Sequence, residues 1–97
     1  MTTMNTYTTA KGVKLAVDQL YTDIYRDSLR VLVVVEIAAP RTDYQGRTRC
    51  EVTYRVVVRD GARVTSARLQ RIDAERLADP KLYRLVEDEA LAKWVRS

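Results

Sequence analysis

Residues 48–71 read Thr48-Arg-Cys-Glu-Val-Thr-Tyr-Arg-Val-Val-Val-Arg-Asp-Gly-Ala-Arg-Val-Thr-Ser-Ala-Arg-Leu-Gln-Arg71. Up to Arg59 the side chains alternate, with Cys50, Val52, Tyr54, Val56 and Val58 on one side and Arg49, Glu51, Thr53, Arg55, Val57 and Arg59 on the other. A period of two belongs to a half-buried strand. Asp60-Gly61 follows, a pair that tolerates the positive φ angles of a two-residue type I′ turn, so the chain is predicted to fold back as a hairpin. With Arg59 opposite Ala62, the register sets Val57 against Val64, Val56 against Thr65, Tyr54 against Ala67 and Val52 against Leu69. Thr65, Ala67 and Leu69 then join the core face. Arg49, Arg55, Arg59 and Arg68 share the face turned to water, because a one-residue slip would bury them.

Upstream, residues 29–38 form a β-branched run with apolar side chains on both faces, the pattern of a strand that is central in its sheet or covered on both sides. The cover is expected from a helix, the N-terminal segment or a second subunit. Before it, Val13, Ala16, Val17, Leu20 and Ile24 recur at helical spacing, with Lys14, Asp18, Thr22 and Asp23 turned away, which predicts an amphipathic helix over 10–26 capped by Thr8 or Thr9. Residues 1–9 are Thr-rich and uncharged; they are expected to fray, with residues 4–8 able to add an edge strand. After the hairpin, Asp73 is placed to cap a short turn, and Asp79-Pro80 to start a last helix running to about residue 96. On that helix Leu82, Tyr83, Val86, Ala90 and Trp94 make one broad apolar face, while Leu91 and Val95 fall opposite. The element order is α-β-β-β-α: one domain with an α+β fold, a three-stranded antiparallel sheet between N- and C-terminal helices.

The chemistry offered is thin. The 97 residues contain no histidine, and the single cysteine, Cys50, lies on the inward face of a strand, as a buried thiol does. A metal-dependent nuclease would need an acid-x-Lys on a strand, but Glu51-Val52-Thr53 lacks the lysine. Glu87-Asp88-Glu89 diverge by about 100° each on a helix and cannot converge on one ion. The three glycines are isolated, which removes a phosphate loop. No catalytic residue, metal or cofactor is therefore expected. A chain without a long apolar run or a signal peptide is expected to stay off the membrane, and a lone thiol suits the cytoplasm.

Charge is uneven. Net charge is +4, and residues 41–76 carry nine arginines against five acids, whereas the flanking segments are balanced. The expected function is binding of another protein, as a small inhibitor, adaptor or accessory factor of the phage type, in a homodimer whose interface includes Tyr83, Leu91, Trp94 and Val95. The alternative is a nucleic-acid or acidic-partner face made by Arg41, Tyr44, Arg47, Arg49, Arg55, Arg59 and Arg68, since guanidinium forks suit phosphates and a tyrosine stacks on a base.

Overall fold

A computed structural model describes residues 3–24, 30–65 and 68–96. Strand β1 is Thr3–Met4, β2 Thr6–Thr8, β3 Lys14–Ala16, β4 Leu20–Asp23, β5 Val31–Ala38, β6 Arg41–Thr42, β7 Thr48–Arg49, β8 Glu51–Arg59, β9 Ala62–Arg63 and β10 Leu69–Asp73. Helix α1 is Ala74–Leu77, β11 is Tyr83–Leu85 and α2 is Glu89–Arg96. Seven strands make one antiparallel sheet with the path β10-β8-β5-β4-β11; β1 adds to β5 and β9 to β8. Two smaller pairs, β2-β3 and β6-β7, stand beside it. The molecule is predominantly β, and the expected three-stranded α+β arrangement is replaced by this larger sheet.

The centre is β5, which explains its doubly apolar sequence. Tyr21 pairs with Leu32, and Leu32 with Val56, so these three share one face. They join Leu15, Val34, Ile37, Val52, Ala74, Leu77 and Tyr83 in the larger buried cluster. On the other face Leu20 pairs with Val33. There Leu20, Val31 and Val58 are buried beneath Val86, Ala92 and Val95, so α2 covers the second face.

The expected first helix is absent. Residues 10–13 turn the β2-β3 hairpin instead: Thr9 Oγ1 accepts the Val13 N–H at 3.1 Å, the Thr9 carbonyl accepts the Gly12 N–H at 2.9 Å, and Gly12 takes φ +87°. Asp18, at φ 75°, turns the chain again into β4. The helical stripe left Leu15 on the polar side, whereas a period of two places it inward, fully buried. Burying Leu15 and Tyr21 together is what a helix over these residues cannot do.

The expected last helix is divided. The Asp79 carboxylate accepts the Lys81 N–H at 2.9 Å, and its carbonyl accepts the N–H groups of Leu82 and Tyr83 at 3.0 Å, so Asp79-Pro80 makes a turn. Tyr83–Leu85 then pairs with β4. The helix starts only after Asp88, whose carboxylate accepts the Ala90 and Leu91 N–H groups at 2.9 and 3.3 Å as an N-cap does.

The β8 hairpin keeps its predicted tip but not its register. Asp60 and Gly61 have φ 52° and 80°, and Arg59 pairs with Ala62. Past Val64 the return strand shifts by three residues, so Leu69 faces Arg55 and Ile72 faces Val52. An odd shift exchanges the two faces. Leu69 moves outward, Ile72 packs on the core, and the chain continues inward to the fully buried Ala74 and Leu77. The shift thus joins β10 and α1 into one apolar surface. Ser66 and Ala67 lie outside the described residues, as do residues 25–26 at the end of the expected first helix.

Candidate functional site

The described residues bring a group of arginines to the foot of β8 and β10. Pairing of Arg41 with Arg49 and of Thr42 with Thr48 makes a two-stranded arm, and cross-strand partners share a face. The arm's turn is organised by Asp43. Its Oδ1 accepts the Gln45 and Arg47 N–H groups at 2.9 and 3.0 Å, and its Oδ2 accepts Arg49 Nε at 3.2 Å. The Arg47 N–H, followed by the Arg49 guanidinium and the Gln45 N–H, holds the Asp43 carboxyl below its ordinary range. Tyr44, at the tip, is 96% exposed.

Arg41 and Arg49 line a cleft of about 210 Å³ with Cys50, Glu51, Arg71, Ile72 and Asp73. Arg71 Nε lies 3.4 Å from Glu51 Oε1, and Arg49 Nη1 lies 3.9 Å from Asp73 Oδ2. With Asp43 on Arg49, three guanidiniums meet three carboxylates here, and of the three cations Arg41 makes no ion pair with the described residues. Cys50 Sγ donates to the Ala38 carbonyl at 3.3 Å; burial pushes its thiol up, and the Asp73 and Glu75 carboxylates add to the effect. A thiol held protonated in this way is a poor nucleophile. Among the described residues no group of three or more Asp, Glu or Cys side chains is placed to hold a metal ion.

The seven residues of the arginine face divide. Arg41, Tyr44, Arg47 and Arg49 belong to the arm, Arg59 adjoins the hairpin turn, and Arg68 is exposed just before β10. Arg55 lies mid-strand on the face shared with Val57 and turns toward α2, lining a separate recess with Arg63 and Val95. Arg71, which the sequence puts with Arg63 near the edge of the arginine face, joins the arm group through the shifted register. The same shift places Leu69, 60% exposed, on an outer strand. No local pattern marked it, because the expected pairing set it in the core.

The four residues of the expected interface are also separated. Tyr83 is buried at 7% exposure in the larger cluster, and Val95 packs on the second face. Leu91 is half-buried. Trp94 remains 39% exposed, with the Arg63 guanidinium 5.8 Å above its ring and Arg63 Nη1 donating to its carbonyl at 3.3 Å.

Comparison of the chain with family models, with curated proteins and with solved structures yields no match.

Proposed function

We propose that this is a small non-catalytic binding module that takes an extended, acidic segment of a partner protein along β10. The reading rests above all on Leu69, an exposed leucine on a strand at the margin of the sheet. Among the described residues no strand pairs with the outer edge of β10. Such an edge offers main-chain donors and acceptors to an added strand, and side chains beside it select the partner. At the adjoining cleft Arg41, which makes no ion pair with the described residues, favours an acid, and the exposed Arg71 can exchange Glu51 for one.

Anisotropy of a labelled peptide of alternating Glu and Val tests the reading, with a Lys and Val peptide as control. The acidic peptide binds and the basic one does not; Leu69→Asp and Arg71→Glu, both at exposed positions, each weaken binding about tenfold or more while circular dichroism stays unchanged. Equal binding of both peptides, or none of either, rejects it. Light scattering on the same samples decides whether a second copy occupies the edge, as a homodimer lost in Leu69→Asp.

One observation favours the second reading, nucleic acid. Arg41, Arg47, Arg55, Arg59 and Arg68 make no ion pair with the described residues. From Arg49 to Arg59 a strand spans about 33 Å, enough to follow a phosphate backbone. That reading expects single-stranded or duplex probes to bind with a steep loss on added salt, and Arg55→Glu with Arg68→Glu to abolish it.

A further inference from the structure

The bonds that tie β10 to β8 decide which of its peptide groups are engaged. The Ala74 N–H donates to the Cys50 carbonyl at 2.8 Å, continuing the register that sets Ile72 against Val52 and Gln70 against Tyr54. In an antiparallel ladder, opposed residues alternate between pairs that exchange both N–H···O bonds and pairs that exchange none. Gln70 and Ile72 therefore give their main-chain groups to β8, and Leu69, Arg71 and Asp73 turn theirs to the outer edge. Among the described residues nothing bonds to the outward peptide groups of Leu69 and Arg71.

Side chains alternate with the same period, so each outward peptide group comes with a particular side chain. Leu69, opposite Arg55, and Arg71, opposite Thr53, share one face of the sheet. Leu69 is 60% exposed. The Arg71 contact with Glu51, at 3.4 Å, lies in the open, where water screens it and an arriving acid competes with it. Gln70 and Ile72 stand on the other face. There Ile72 packs on the larger cluster, and Gln70 Oε1 accepts the Tyr54 hydroxyl at 3.1 Å.

We propose that the partner strand runs antiparallel to β10 and carries, from its N-terminus, an apolar residue, an acid, a residue of any kind and a second apolar residue, opposite Ile72, Arg71, Gln70 and Leu69 in turn. This order rests on the reading that the β10 edge takes an acidic segment. Every pairing among the described strands of the sheet is antiparallel, the more stable kind per residue. Directly opposed side chains lie about 5 Å apart, so the acid meets Arg71 and the second apolar residue meets Leu69. The first apolar residue extends the core face beside Ile72. Moving the acid along by one position sets it opposite Gln70, on the wrong face.

Anisotropy of the labelled peptide Thr-Thr-Val-Glu-Thr-Val-Thr-Thr tests this order against the same residues reversed, which keeps composition and charge and is the order that a parallel strand would present. The forward peptide is expected to bind about fivefold more tightly or better. N-methylation of its Glu, whose N–H meets the Arg71 carbonyl, is expected to weaken binding about tenfold or more, and N-methylation of the Thr that follows, whose N–H points away from β10, to leave it within about twofold. Arg71→Glu is expected to lose the Glu peptide and gain its Lys counterpart, with circular dichroism unchanged. Equal binding of forward and reversed peptides, with Leu69→Asp weakening both, overturns the order and leaves the β10 edge as the binding site. A tighter reversed peptide assigns a parallel strand and likewise overturns the order. Binding of neither peptide overturns the order and the β10 reading together.

Discussion

Asp23 and Arg30 close the start of the central ladder, with Arg30 Nη1 2.5 Å from Asp23 Oδ2 and side-chain exposures of 13% and 0%. Burial works against the Arg30 charge, but the Asp23 carboxylate and, after it, Tyr54 together reverse this and hold the guanidinium above its ordinary pKa. Removing one partner strands the other charge. Asp23→Ala is therefore expected to cost about 3–5 kcal/mol, read as a lowered urea midpoint. Asp43 gives a prediction of the opposite kind, because it is exposed and its effect is local. Its carboxyl titrates lower in the folded arm than in an unfolded chain, so it steadies the arm above the unfolded pKa, and that support is lost as pH falls through the folded one. The Gln45 and Arg47 amide shifts are expected to titrate with a midpoint below the ordinary 3.8, and Asp43→Asn to abolish the titration.

Among the elements, the β8-β10 pairing carries the most consequence. If Ile72, and not Leu69, faces the core, Ile72→Ala costs about 2 kcal/mol and Leu69→Ala stays within about 0.5 kcal/mol. Chemical denaturation of the two variants checks this; the reverse order would restore the register expected from the sequence. Much of the hairpin was legible beforehand. The alternation of β8 and the Asp60-Gly61 turn are local signals, and both are seen. The three-residue shift was not, because it is fixed by where Ile72, Ala74 and Leu77 find cover, and that depends on elements far away in the chain. The same holds for α2: taken from residue 80, its apolar positions fell on opposite sides. Begun at the Asp88 cap, Leu91, Ala92 and Val95 lie within about 100° of one another and form one face.

At the scale of the whole molecule, the fold class escaped because much of the sheet is built from very short pieces. β1 and β9 are two residues long and β11 three, too short to show a period, and each exists only as an addition to a longer strand. The candidate site was legible in part. The excess of arginine over residues 41–76 is plain in the sequence, but its division between the arm, the hairpin tip and the recess beside α2 follows from pairing alone.

The position of β5 also sets an order of events. Its neighbours β1 and β4 precede it in the chain and β8 follows it, so neither β1 nor β4 can enter the main sheet until β5 itself exists. On a ribosome, which releases the chain from its N-terminus, Met4 waits for Ile37 and Tyr21 for Leu32. Strands β1 and β4 are thus passengers in the nascent chain, and the main sheet grows outward from its middle in both directions once the valine run emerges.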